Sequence, residues 1–293
     1  VPVDSIYAVF LACVLHQYSA EAMKWSGRGK KRTVESVFIE KQHDISTIYL
    51  NEPDSLNALS KKMKTELLTL LNEVESDPTV HIVIIAGKGR AFCAGGDVKA
   101  MAEDPYDPAE IKRNIEISAR IIERIRHMPK IVIAAVHGYA AGAGMSLALA
   151  ADLIIAEEET KFILSFKNVG LIPDLGIHYY LPRLVGEWKA KEWIWEGLKL
   201  TAEEANKHGL VKEVVPKGNG HPRALALARE LSAGPLQALI ATKLIINRSS
   251  DWKLEDIVAK ENDIHTLLRG TKDHKEGVAA FFAKRPPKFS GNA

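Results

Sequence analysis

Residues 91–97 read AFCAGGD, and residues 131–144 read IVIAAVHGYAAGAG. The second stretch opens on an unbroken apolar run, Ile131 to Val136, rich in β-branched residues and too short for a core helix, so it reads as a fully buried strand. Small residues follow from Gly138 to Gly144, and a helix is predicted over 145–150. The first stretch likewise follows an apolar run, residues 81–86, bounded by Gly87 and Gly89. Two buried strands each running into a small-residue loop are typical of α/β chains that bind ligands through backbone amides. Glycine and alanine let a backbone approach a ligand without side-chain collision. Either loop alone reads better as a tight turn packed under a helix. The pair in this order points to one N–H from each loop converging on a single oxygen, the second at a helix start where the dipole favours negative charge.

Working outward, residues 34–40 and 45–50 read as two short strands around Gln42-His43-Asp44. Ser60 reads as the N-cap of a helix running to Val74, with Met63, Leu67, Leu70, Leu71 and Val74 on one face. Residues 110–127 form a second amphipathic helix, stopped by Met128-Pro129, and residues 153–156 a third short buried strand. Beyond residue 175 the chain turns helical, with helices predicted over 187–196, 202–208, 222–232, 235–247, 254–268 and 273–283. The organisation expected is an N-terminal extension (1–33), an α/β core (34–220) and a helical region (221–293), read as one domain with a helical tail.

The formal net charge of +2 over 293 residues gives no global attraction to nucleic acid or an acidic membrane. The basic stretch Arg28 to Arg32 is the exception and reads as a solvated arm. Cys13 and Cys93 have neither metal-ligand nor disulfide spacing, which fits a reducing, cytoplasmic setting. Cys93 reads as a packed thiol rather than a nucleophile. The apolar run 8–15 is too short to span a bilayer. Residues 1–22 read as an extension ahead of a start at Met23 and are set aside from the fold.

The run AFCAGGD followed by IVIAAVHGYAAGAG closely resembles the enoyl-CoA hydratase/isomerase (crotonase) family. Leu50-Asn51-Glu52-Pro53 and Asn57-Ala58-Leu59 match upstream. Gly170-Leu171-Ile172-Pro173-Asp174, Leu181-Pro182-Arg183 and Lys284-Arg285-Pro286-Pro287-Lys288-Phe289 match downstream, in one collinear order over residues 34–289. The resemblance implies an α/β, crotonase-like spiral of ββα units with a helical C-terminal trimerisation region. It implies an acyl-CoA substrate, with coenzyme A part of the substrate rather than a cofactor, no metal, no membrane span, and a homotrimer or hexamer. By the same resemblance the amides of Gly96 and Ala143 form an oxyanion hole. Ala94, Gly95, Asp97, Gly142, Ser146 and Phe166 fall among the substrate-binding positions, and the loop 100–112 borders the acyl pocket. Lys99 lies near the CoA phosphates, and Phe281 and Lys288 match positions that touch the CoA of a neighbouring subunit.

Hydratases of this family use two glutamates to orient and deprotonate water. The matching positions here are Ser146 and Phe166, and neither can act as a base. Glu157, Glu158 and Glu159 read as an exposed turn. One carboxylate remains, Asp174, at the position where isomerase branches move a proton between carbons of a bound enoyl-CoA. Read without the resemblance, Asp174 is an N-cap for a helix beginning near Leu175. With it, the expectation is enoyl-CoA isomerisation through Asp174. The alternatives are an enoyl-CoA hydratase of fatty-acid degradation, and a non-catalytic acyl-CoA- or RNA-binding member. His178 is a candidate partner for Asp174, four residues on.

Overall fold

The computed structural model describes residues 36–103 and 105–291. It opens with β1 (Val37–Gln42) and β2 (Ile45–Leu50), an antiparallel pair turned at His43, whose φ of 58° supplies the left-handed residue. The first strand ends two residues later than the sequence predicts, and its expected start at residue 34 lies outside the described residues. Helix α1 (Lys61–Ser76) starts where the Ser60 side chain accepts from the Met63 amide at 3.1 Å. It buries Met63, Leu67, Leu70, Leu71 and Val74, the five positions its periodicity selects.

β3 (Ile82–Gly87) leads through the first glycine loop into α2 (Val98–Glu103), and α3 (Pro108–His127) leads into β4 (Ile131–Val136). The expected loop over 100–112 is thus helical in its first part, because the Asp97 side chain accepts from the Ala100 amide and caps α2. After β4 come β5 (Tyr139–Ala141), α4 (Ala143–Ala150), β6 (Leu153–Glu157) and β7 (Lys161–Ile163). The chain then continues as α5 (Ile177–Val185), α6 (Glu187–Glu196), β8 (Lys199–Thr201), α7 (Ala202–Lys207) and β9 (Glu213–Val215). Helices α8 (Gly220–Ser232), α9 (Leu236–Ile246), α10 (Leu254–Leu268) and α11 (Lys272–Phe282) complete it.

Six strands form the main sheet in the order β1-β2-β3-β4-β6-β9, parallel from β2 onward, and β5-β7-β8 form a second, smaller sheet. After the β1–β2 hairpin, which lies wholly in the main sheet, the chain alternates between the sheets, with β4, β6 and β9 in the main sheet and β5, β7 and β8 in the smaller, as it winds a spiral of ββα units. The central strands are apolar at every position because both their faces are covered. Val83, Ile85, Val132, Ala134 and Val136 face the core under α1, α3 and α4. Ile82, Ile84, Ile131 and Ile133 face a second core closed by Ala224, Leu227 and Ala228 of α8.

The second glycine stretch is not only a turn: β5 runs through its first half, and α4 begins at Ala143 rather than Met145. Three further strands, β7, β8 and β9, have three residues each, too few to show the alternation that reveals a strand in sequence. The helical tail is tied in by Lys243 of α9. Its buried ammonium donates to the carbonyls of Ile125 (2.9 Å) and Lys130 (2.6 Å) and pairs with Asp152 at 2.8 Å. Among the described residues, no helix is long and apolar enough to cross a membrane.

Candidate active site

Hydrogen bonds stitch the two glycine loops together. Phe92 N donates to His137 O (2.9 Å), Cys93 N to Tyr139 O (3.0 Å), and Ala141 N back to Cys93 O (3.0 Å). On its other flank the first loop is held by Ala94 N to Leu56 O (2.9 Å) and Leu59 N to Gly95 O (2.7 Å). Asn57, fully buried, ties the base of the loop: its amide nitrogen donates to Lys88 O and Ala91 O (2.9 and 2.8 Å), and its oxygen accepts from Glu52 N (2.8 Å). Gly142 N donates to Ile163 O at 2.8 Å. Against this background, the amides of Gly96 and Ala143 find no acceptor among the described residues. Ala143 is also the first residue of α4, so its N–H carries the positive end of a helix dipole.

The glycines permit this approach. Gly95 has φ of +98°, and a Cβ there would stand 2.6 Å from Ala141 O and 3.3 Å from Ala143 N. Any side chain at 95 would wedge the loops apart and crowd the Ala143 amide. Cys93 is wholly buried and burial pushes its thiol up to about 12, so it packs and does not attack.

The surroundings of these two amides are apolar. Phe166 and Leu164 are buried, and a Cβ on Gly142 would lie 3.2 Å from Ser165 Oγ and 3.8 Å from the Phe166 ring. Met101 of α2 reaches over Gly96. Ser146 is fully buried on α4 and its hydroxyl turns back to Gly142 O at 3.5 Å, an interaction within its own helix. Asp97 is engaged as the α2 cap, and Lys99 points outward on the same helix. Glu157 accepts from Gly220 N and Glu159 pairs with Lys217, so that run serves the strand-to-helix connection.

Asp174 does not cap the helix that follows. Leu175 (φ 53°) and Gly176 (φ 82°) are both left-handed, and α5 begins only at Ile177 with Gly176 as its N-cap. The carboxylate is therefore left for other work. It is open to solvent yet flanked by protein, and partial desolvation pushes its pKa above the usual carboxylate value, opposed by the positive charge of Lys64. His178 is exposed, and no hydrogen bond or ion pair joins it to Asp174 among the described residues. Lys64 is half-buried on α1, and desolvation lowers its pKa, opposed by the negative charge of Asp174. Sequence reasoning passed over it, because a lysine between Met63 and Leu67 looks like a solvated flank.

Phe281 and Lys288 are exposed on the C-terminal region, and no hydrogen bond, ion pair or ring contact links them to the glycine loops. Neither the cavity of about 420 Å³ beside Phe281 nor that of about 580 Å³ beside Tyr179 includes a residue of either loop. Among the described residues there is no cluster of histidine, cysteine and carboxylate side chains fit to hold a metal.

A ββα spiral whose two glycine loops present unengaged amides next to buried apolar side chains can hold a negatively charged oxygen through backbone N–H groups. The family model described as enoyl-CoA hydratase/isomerase matches residues 40–292. The chain is 36% identical over 260 residues to 1,2-epoxyphenylacetyl-CoA isomerase of Escherichia coli (strain K12), covering 88% of this chain and 99% of that protein. It is 33% identical to 2,3-dehydroadipyl-CoA hydratase of the same organism, covering 88% and 98%. The crystal structure of an enoyl-CoA hydratase from Polaromonas sp. JS666 superposes with a TM-score of 0.81 at 34% identity, over 86% of this chain and 98% of that one. The chain belongs to the enoyl-CoA hydratase/isomerase family and is an enzyme of the crotonase type.

Proposed function

We propose that this enzyme shifts the double bond of an enoyl-CoA, with Asp174 carrying the proton. The observation that carries the reading is one carboxylate, Asp174, that does not cap the helix after it, while the positions of Ser146 and Phe166 supply no base. The thioester oxygen would accept from the Gly96 and Ala143 amides. Asp174 would take a proton from the α- or γ-carbon, the two amides would hold the dienolate, and the same carboxyl group would return the proton at the other carbon. Phe166 and Leu164 would present an apolar surface to the acyl chain, which would favour proton return over water addition. Ala94, Gly95 and Gly142 would border the substrate as backbone. In a homotrimer or hexamer, the exposed Phe281 and Lys288 would be free to reach the CoA of a neighbouring copy.

The test compares wild type with Asp174→Asn on 3-enoyl-CoA and 2-enoyl-CoA substrates over a range of chain lengths. Isomerisation by wild type and a loss of several orders of magnitude in the variant are expected. Undiminished isomerisation in Asp174→Asn, or hydration of 2-enoyl-CoA as the dominant wild-type activity, would rule the reading out.

A further inference from the structure

A backbone N–H is not aimed on its own. The peptide unit is planar and trans, so the N–H of one residue points opposite to the C=O of the residue before it. The Gly96 N–H is therefore aimed by whatever holds Gly95 O, and the Ala143 N–H by whatever holds Gly142 O. Both carbonyls are held, but by different elements. Gly142 O accepts from the Met145 and Ser146 amides at 3.0 and 3.2 Å, so the first turn of α4 fixes that donor. Gly95 lies in a loop with φ of +98°, outside any helix that would constrain its carbonyl. Gly95 O instead accepts from Leu59 N, at 2.7 Å. The segment that carries Leu59 bends sharply: Leu56 and Asn57 are both left-handed, with φ of 54° and 57°, a conformation non-glycine residues disfavour. Asn57 holds the bend. Its N donates to Glu52 O (2.9 Å), its Oδ1 accepts from Glu52 N (2.8 Å), and its Nδ2 donates to Lys88 O and Ala91 O. Leu56 O accepts from Ala94 N at 2.9 Å, a parallel bridge joins Leu59 to Gly96, and Ser60 then caps α1. An arch over residues 56–59, anchored at both ends, thus runs along residues 94–96.

We propose that Leu59 is a positioning residue for the Gly96 amide: its main-chain N–H turns the Gly95–Gly96 peptide so that the Gly96 N–H faces the thioester oxygen, and Asn57 keeps the arch in register. The proposal rests on the reading of Gly96 and Ala143 as oxyanion donors. Hydrogen bonds weaken steeply as they leave linearity, so a loop amide free to rotate would be a poor donor. Donors stabilise developing charge best when they need no reorganisation at the moment of reaction. The bond to Gly95 O has a second effect. It polarises the peptide unit, and a polarised unit donates more strongly through its own N–H. The Leu59 side chain is buried in the core with Met63 and Leu67 and offers no polar group, so the role belongs to its backbone. One donor is thus aimed by the start of α4 and the other by the arch that precedes α1, and the two can be loosened separately.

The experiment replaces Leu59 in the full-length chain by its α-hydroxy analogue, which keeps the side chain and turns the amide N–H into an ester oxygen. The same exchange at Ala151, whose N–H donates to Ala148 O at 3.2 Å at the far end of α4, is the control. Asn57→Asp is a second variant: it keeps the acceptor for Glu52 N and removes the donors to Lys88 O and Ala91 O. Thermal unfolding confirms that each protein is folded. The readout is the absorption of bound 4-aminocinnamoyl-CoA, a conjugated thioester whose band moves to longer wavelength as its carbonyl oxygen is polarised. The Leu59 ester and Asn57→Asp are expected to bind the probe but lose most of the red shift. Their kcat should fall, by no more than the roughly hundred- to thousand-fold that loss of a whole donor costs, with KM little changed. The Ala151 ester should keep the wild-type shift and kcat, which separates aiming from general loosening of the fold. A full red shift in the Leu59 ester overturns the proposal, and so does an equal loss in the Ala151 ester. The absorption needs neither turnover nor Asp174. Loss of the shift in the Leu59 ester, with isomerisation intact in Asp174→Asn, would therefore sink the proton-carrier reading and leave the positioning role standing.

Discussion

Gly95→Ala tests the convergence of the two loops directly. The alanine Cβ would stand 2.6 Å from Ala141 O, closer than carbon and carbonyl oxygen approach, so that backbone must retreat by several tenths of an ångström. Ala141 is two residues before Ala143 and already bonded to Cys93, so the displacement passes straight into the α4 start. An N–H···O bond lengthened by that amount has lost most of its worth. Removing one oxyanion donor typically costs roughly a hundred- to a thousand-fold in rate, about 2.7–4 kcal/mol. The substitution also carries backbone strain, because Gly95 has φ of +98°, and left-handed strain at a non-glycine residue costs about 1–3 kcal/mol of stability. Gly170→Ala supplies the control: its φ is +68°, and a Cβ there meets nothing within 4 Å. Both variants should lose thermal stability, but only Gly95→Ala should lose the rate, with acyl-CoA binding measured by calorimetry changing far less than kcat. Equal kinetic damage in both would refute the wedge, since strain alone would then suffice. Wild-type kcat in Gly95→Ala would refute the role of the Ala143 amide.

Isomerase activity should fall as pH drops, along a limb above the ordinary aspartate range, because the raised pKa of Asp174 means its base form is lost early; the pH profile of kcat/KM checks this. The same shift predicts a stability signature. A raised folded-state pKa makes ionisation unfavourable to the fold, so Asp174→Asn should melt above wild type at neutral pH, with the gap closing as pH falls below the aspartate range. Lys243→Met should cost about 3–5 kcal/mol in urea unfolding, because it strands the buried Asp152 carboxylate, and Asp152→Asn in the same chain should recover part of the loss. Glu276, held by Arg285 and the Lys288 amide, has its pKa pulled down to about 2, so its support for the C-terminal segment is present above the ordinary glutamate range. The difference in melting temperature between wild type and Glu276→Gln should therefore shrink as pH falls toward about 2.

What the sequence made legible was what sterics and periodicity write locally. Ile131 to Val136 had to be a doubly covered strand because no polar residue interrupts it, and α1 declared both its cap and its buried face. The glycine loops were legible because close backbone contact excludes every larger residue at Gly95. Two kinds of feature were not. Strands of three residues, such as β7 and β8, carry no period, and only their partners define them. The cap reading of Asp174 failed on a conformational detail. Leu175 takes a left-handed φ that its residue type does not advertise, which moves the helix start to Ile177 and separates the carboxylate from the amides it would have capped.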